Sequence, residues 1–204
     1  MTVTQAMYLV GGFEPGKTIL WHAGASSISI AGVQMSVARG AKATYVTTSS
    51  SEKIDFCEKT LKATKGFNYK EQDFSKEILK ETDGRGVDII VDFVGATHFQ
   101  QNLDALAKDG TIVALASMSG TLVSNVDISA LVRKRVSIKG SSLRSRDEAY
   151  QADLCKTFVE KTLPLLEARE LRVIVEAVFP WTEIVRAHKL MESNATKGKI
   201  VCNV

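Results

Sequence analysis

Cysteine is scarce: Cys57, Cys155 and Cys202 are the only three in 204 residues, and they stand far apart with no CxxC spacing. That excludes a disulfide framework and a thiolate zinc site, and it fits reduced thiols in a cytosol-like compartment. Long apolar runs are missing too, since none approaches the roughly 18 residues of a membrane span. Met1 to Phe13 lacks the basic flank and cleavage pattern of a signal peptide. The expectation is a cytoplasmic protein with no membrane partner. Blocks of like charge are also absent. The 26 Lys and Arg against 23 Asp and Glu leave +3, with the cations scattered, so nucleic acid binding gains no support. With 45% apolar and 24% charged residues, disordered, collagen-like and coiled-coil classes fall away. The length admits one generous domain, or one domain with an appendage.

What the chain does contain is alternation. Short β-branched runs, Thr18 to Ala23, Ala43 to Thr47, Val87 to Phe93, Thr111 to Ala116 and Val136 to Lys139, with a shorter one at Gly66 to Asn68, read as six strands. Between them Ile28 to Arg39, Glu52 to Ala63, Phe74 to Lys80, Phe99 to Ala107 and Ile128 to Arg133 carry helical spacing, with capping residues at Ser51, Asp73, Thr97 and Asp127. This pattern predicts an α/β fold, a doubly wound parallel six-stranded sheet of the Rossmann-like kind. Beyond Ser145 the rhythm changes to a long helix over Glu148 to Glu167, a strand Val173 to Phe179, a break at Pro180, a helix Glu183 to Met191 and a last strand Ile200 to Val204. Those two closing strands need a sheet to join.

In a doubly wound fold the ligand lies beyond the carboxyl ends of the strands, with phosphates at the start of the first helix. Here that turn reads His22-Ala23-Gly24-Ala25-Ser26-Ser27-Ile28-Ser29. Ser27 and Ser29 stand where glycine is usual, and a Cβ there narrows a phosphate passage. The same small residues also suit close helix–sheet packing with no ligand at all. The end of the second strand, Thr47 to Ser51, contains no acid to hold a ribose diol. Ser50 can donate to phosphate oxygens and Lys53 supplies charge one turn later, which favours NADPH over NADH. The plainer alternative makes Ser51 an N-cap and Lys53 a solvated helix residue. His22, His98 and His188 read as structural, and no spacing joins them into a metal site. Neither catalytic side chains nor metal ligands are assigned.

Several stretches together resemble the medium-chain dehydrogenase/reductase superfamily, in its zinc-free NADPH:quinone oxidoreductase branch, the zeta-crystallin-like enzymes. They are Ile19-Leu20-Trp21-His22-Ala23-Gly24-Ala25-Ser26, Phe67-Asn68-Tyr69-Lys70, Val91-Asp92-Phe93-Val94-Gly95, Ser142-Leu143-Arg144-Ser145-Arg146-Asp147, and Ala187 to Ser193 followed by Gly198-Lys199-Ile200-Val201. The resemblance implies that Ser50, Lys53 and Tyr69 surround a 2′-phosphate, that the turn Ser26, Ser27 and Ile28 borders the pyrophosphate, and that Gly95 lines the adenosine side. It places Ser117 and Leu143 toward the nicotinamide, and Asn194 where some relatives carry a cation near the phosphate. Each has a duller reading: Tyr69 as a half-buried aromatic, Gly95 as a turn glycine, Asn194 as a helix-end residue.

The implied activity is NADPH-dependent reduction of a quinone or other conjugated carbonyl, with the alternative of a weak or inactive NADPH-binding or dimerisation module. Residues 1–145 would be the nucleotide-binding domain, 1–12 being the tail of an interdomain helix. Residues 146–204 would be elements that in relatives pack on an N-terminal GroES-like domain, which this chain does not contain. Deprived of that partner sheet, the closing strands should pair with each other, swap between protomers or fray. A homodimer or higher oligomer is expected, formed through the edge strand Val136 to Lys139. A short-chain dehydrogenase is disfavoured, because Tyr8, Tyr45, Tyr69 and Tyr150 are followed four residues later by Gly12, Ser49, Asp73 and Leu154 rather than Lys.

Overall fold

The β-branched runs form one parallel sheet because each is apolar enough to be covered on both faces. In the computed structural model, which describes residues 1–204, β1 (Thr18–Trp21), β2 (Ala43–Thr48) and β4 (Val87–Asp92) are almost wholly buried. With β3 (Lys65–Asn68), β5 (Leu106–Ala114) and β6 (Ser137–Gly140) they are ordered β3-β2-β1-β4-β5-β6, all parallel. The order reverses at β1, between β2 and β4, and that switch opens a crevice beyond the strand ends.

Side chains alternate across the pleat, so neighbouring β1 residues belong to different cores. Ile19 and Trp21 pack with Ile30 and Val33 of α2 (Ser27–Ala38), and with Val3, Ala6 and Met7 of the N-terminal segment. That segment runs as α1 (Thr2–Thr4) and continues in wider π turns over Gln5–Val10. Leu20 faces the other way, toward Phe74 and Ile78 of α4 (Phe74–Glu81) and Leu103 of α5 (Phe99–Ala105). The Trp21 indole donates to Ser36 Oγ at 3.1 Å and lies flat against Gly32, where a methyl group would stand 2.5 Å from the ring carbons. Only glycine lets α2 approach that closely.

The helical segments differ from the expected ones in four places. Phe99 to Ala107 is helical only to Ala105, and Leu106 and Ala107 already belong to β5, which starts ahead of the expected Thr111. Glu52 to Ala63 is α3 (Ser51–Asp55) followed by π turns over Phe56–Thr60, and its N-cap is Ser50, not Ser51. Thr97 caps nothing; its hydroxyl bonds the His98 ring at 3.1 Å, inside a short 3₁₀ turn over Ala96–His98. The long helix expected over Glu148 to Glu167 is broken into α7 (Glu148–Lys161) and α8 (Leu163–Glu167). Pro164 has no N–H, and its ring crowds the carbonyl four residues back, so a straight helix cannot pass. The Asp73 cap is in place, accepting from Ser75 N and Lys76 N, and Asp127 accepts from Ser129 N at the start of α6 (Ser129–Arg133).

Leu154 of α7 is fully buried, and Leu165 and Leu171 join the N-terminal segment in the α2-side core. Beyond them β7 (Val175–Pro180) and β8 (Lys199–Asn203), linked by α9 (Ile184–Glu192), pair in parallel with each other as a separate two-stranded sheet. Gln34 on α2 holds the approach to β7: its amide donates to Arg172 O at 3.1 Å and accepts from Arg172 N at 2.9 Å. No helix is long and apolar enough to cross a membrane.

Candidate functional site

The turn after β1 is built to keep backbone close to backbone. Ala23 takes a left-handed φ of 44°, unusual for a residue with a Cβ and a mark of a constrained site. A Cβ on Gly24 would meet Val46 Cβ at 2.8 Å and Cys57 Sγ at 3.0 Å, so that position admits only glycine. Ser26 caps α2, accepting from Ser29 N at 3.2 Å. Ser29 is fully buried and donates to His22 O at 2.6 Å. Ser29 therefore fastens the turn from below, whereas Ser27 reaches the open side. Of the two serines expected to narrow the passage, only Ser27 is placed to do so.

Above this turn lies a cleft of about 810 Å³. Its walls include Ser26 and Ser27 from the turn, Thr48, Ser49 and Lys53 from the β2–α3 connection, Tyr69 after β3, Val94 and His98 after β4, and Asn194 and Lys199 from the C-terminal segment. Lys53 decides its character. The residue is only 8% exposed, which rules out the solvated alternative. Its ammonium donates to Asn194 O at 2.6 Å and, at 3.4 Å, toward Asn194 Oδ1, with no carboxylate in ion-pairing distance. Burial, and next the nearby Lys70 ammonium, holds the Lys53 pKa below the usual lysine value. A buried cation without a counter-ion is unfavourable unless an anion joins it. Glu52 next door does not serve; it is exposed and pairs with Lys197 at 2.5 Å.

Beneath the cleft runs a closed chain of buried hydrogen bonds. Asp92, at the end of β4, accepts from Val94 N at 2.7 Å and Gly95 N at 3.1 Å through Oδ1, and from Asn102 Nδ2 at 3.0 Å through Oδ2. That fixes the Asn102 amide, so its oxygen faces His22 Nε2 at 2.7 Å. His22 must then carry its proton on Nε2, leaving Nδ1 to accept from the Thr47 hydroxyl at 2.8 Å. Burial lowers the His22 pKa to about 4 and raises that of Asp92. His98 packs edge-on against His22, with ring centroids 4.9 Å apart, and burial followed by the His22 charge takes its pKa to about 4 as well. The chain ties the ends of β1, β2 and β4 and the Gly95 turn into one rigid floor. Gly95 needs its φ of 88°, and a Cβ there would come within 2.8 Å of Ser117 Cα.

The expected residues thus divide. Ser26, Ser27, Lys53, Tyr69 and Asn194 come together around the cleft. Ser50 sits at its edge with its hydroxyl turned to Lys53 N at 3.4 Å, as the α3 cap. Gly95 supports the floor from behind Val94. Ile28 turns away into a separate apolar cavity between α2 and the N-terminal segment. Ser117 lines a smaller depression of about 450 Å³ with Ser141, Ser142 and Arg146, at the ends of β5 and β6; Leu143 follows in the same loop without lining it. The floor residues Asp92, Asn102 and Thr47 escaped the sequence reading. An acid closing an apolar strand just before a glycine, as in Val91 to Gly95, was the available signal. No group of His, Cys, Asp or Glu could hold a metal ion, and both nitrogens of His22 are committed within the fold.

The family described as zinc-binding dehydrogenase matches residues 27–158. Quinone oxidoreductase 1 of Escherichia coli is 28% identical over 193 residues, covering 91% of this chain and 56% of that protein. The 2-haloacrylate reductase of a Burkholderia species is 27% identical over 205 residues, covering 98% and 60%. The crystal structure of Escherichia coli quinone oxidoreductase complexed with NADPH superposes with a TM-score of 0.85 at 26% identity, over 100% of this chain and 62% of that one. The chain spans a little over half the length of these curated relatives.

Proposed function

This chain belongs to the zinc-binding dehydrogenase family, in the quinone oxidoreductase-like part of the medium-chain dehydrogenases and reductases, and on that premise we propose that its cleft binds NADPH. The buried Lys53 ammonium, facing the cleft without a carboxylate partner, carries this reading. A 2′-phosphate supplies the missing counter-charge, and the β2–α3 connection offers the Ser49 hydroxyl where an acid would serve the plain dinucleotide, the Thr48 hydroxyl being donated to Ser50 O. Tyr69 presents a half-open ring beside the same pocket. At the other end, Ser117 and the Leu143 loop border the depression that would take the nicotinamide. The metal implied by the family's description finds no ligand set among the His, Cys, Asp and Glu of this chain.

The proposed reaction class is reduction of a quinone or other conjugated carbonyl. Bound NADPH would supply the hydride, leaving the chain's own residues to hold the dinucleotide and exclude water. The rigid floor under Val94 and Gly95 suits that task, since it presents fixed backbone where the dinucleotide would lie. The second reading is a binding module with weak or no turnover, in which the same cleft holds the dinucleotide. Fluorescence titration with NADPH separates a binder from a non-binder, and NADPH oxidation with a simple ortho- or para-quinone separates enzyme from module. A silent titration would end both readings.

We also propose a homodimer formed across β6. Its four residues are all exposed, and its outer edge leaves N–H and C=O groups unpaired. Two such edges related by a two-fold axis would continue the sheet. Sedimentation equilibrium is expected to give twice the mass of the chain; a monodisperse monomer would refute the dimer.

A further inference from the structure

The loop that leaves β6 carries a cation that nothing in the fold neutralises. Arg146 is half-buried beside the depression of about 450 Å³ at the ends of β5 and β6. Its Nε donates to Ser142 O at 3.2 Å, and its guanidinium lies over the Tyr150 ring, 4.2 Å from the centroid. Both terminal nitrogens are left without a protein acceptor. No carboxylate stands within ion-pairing distance of the group. Asp147, its neighbour in sequence, is turned instead to Tyr150 N at 2.8 Å as the cap of α7. The buried N-terminal segment holds this arrangement in place. Gln5, 1% exposed, donates from its amide nitrogen to Ser142 O at 3.2 Å and to the Tyr150 hydroxyl at 3.1 Å. Loop and ring are thereby tied to one side chain, so Arg146 rests on a fixed platform. Hydroxyls of Ser117, Ser141 and Ser145 surround it in the depression, and the Ser141 oxygen is buried with no hydrogen-bond partner. The depression shares no lining residue with the larger cleft, but Ser117 adjoins Met118 of the cleft wall, so the two spaces meet across one peptide.

We propose that Arg146 binds a carboxylate of the acceptor substrate: its two terminal nitrogens take the carboxylate as a fork, the surrounding serines add hydroxyl donors, and the substrate class is a conjugated carbonyl compound that also carries a carboxylate. The substrate role rests on the NADPH reading above and narrows its acceptor class. Guanidinium and carboxylate match in shape as well as charge, so the pair fixes an orientation that a point charge would not. A neutral quinone leaves the fork unused. In the reaction NADPH would give its hydride to the conjugated carbonyl system and solvent would give a proton. NADP⁺ and the reduced acid would then leave, the carboxylate keeping all its bonds throughout. Its part is to hold the acceptor in one orientation.

Calorimetry on the full chain, alone and with excess NADP⁺, tests this with a matched pair of probes, 4-acetylbenzoate and its methyl ester. Both are conjugated carbonyl compounds, and only the first carries a charge. The acid is expected to bind at least about tenfold more tightly than the ester. Arg146→Gln should weaken the acid by about 10- to 100-fold, the scale of a hydrogen-bonded charge pair, and leave the ester within about twofold. Arg146→Lys keeps the charge without the fork and should recover only part of the loss. Equal affinity for acid and ester, or a preference for the acid that survives Arg146→Gln, would overturn the carboxylate site. Tight NADPH binding by fluorescence with no preference for the acid removes this site alone. A preference for the acid with a silent NADPH titration keeps the site and removes its substrate role together with the NADPH reading.

Discussion

Exchanging Lys53 for Met is expected to weaken NADPH binding by about 10- to 100-fold while NADH binding stays within about twofold, both read by fluorescence titration. A hydrogen bond to a charged group contributes about 1.5–3 kcal/mol, and about 1.4 kcal/mol is tenfold in affinity. Methionine keeps the length and volume of the lysine stem, so the wall it forms stays filled. The ammonium it removes has no carboxylate partner to strand, only the Asn194 carbonyl. Folding stability should therefore change little, which separates lost binding from lost structure. Equal weakening for both coenzymes would move the 2′-phosphate elsewhere. Ser50→Ala is a contrasting case. Its hydroxyl is turned to the Lys53 N–H as the α3 cap, so the exchange should lower stability by about 1 kcal/mol and affect NADPH less than Lys53→Met does.

Acid is expected to destabilise the fold well before the surface carboxylates titrate. His22 is fully buried with a pKa near 4, against 6.5 in an unfolded chain. Above 6.5 it is neutral in both states and contributes no pH dependence. Between 6.5 and about 4 the unfolded chain binds a proton that the folded chain refuses, so stability falls as pH falls. The loss is about 1.4 kcal/mol per pH unit well inside that window, or about 3 kcal/mol across it. Below about 4 both states are protonated and this loss levels off. His98 acts in the same direction, its pKa lowered by burial and by His22. Asp92 acts in the opposite one: its raised pKa means the folded state gains the proton first, which offsets part of the loss at the acid end. Urea unfolding at pH 7, 6 and 5 measures the slope. His22→Gln, uncharged throughout, should be less stable at pH 7, because the Thr47 and Asn102 bonds are disturbed, yet show a shallower decline. A variant slope as steep as the parent's would mean that His22 is not the group responsible.

These two residues mark the limits of what could be read from the chain. Lys53 was legible, because its spacing from the end of β2 and the absence of an acid in Thr47 to Ser51 are both local facts. His22 was legible only as structural, and its reach was not: Asn102, 80 positions further on, bonds its ring and is itself held by Asp92, and nothing local announces either contact. The hydrogen bonds of the 193–198 segment were not readable either; only the resemblance had set Asn194 near Lys53. Asn194 and Lys197 end up beside Lys53 and Glu52 only after α9 and the β7–β8 sheet have been docked on the phosphate turn.

The order of strands and helices, the phosphate turn and the cationic character of the pocket were determined by the sequence itself. They depend on periodicity, capping and composition, which act over a few residues. The tertiary structure alone decided that Ser29 points into the fold and Ser27 toward the cleft, that Leu165 just beyond the Pro164 break still packs in the core, and that Lys53 is buried rather than solvated. Those outcomes depend on which side of the pleat, and which distant loop, each side chain meets, and such contacts exist only once the whole sheet has closed.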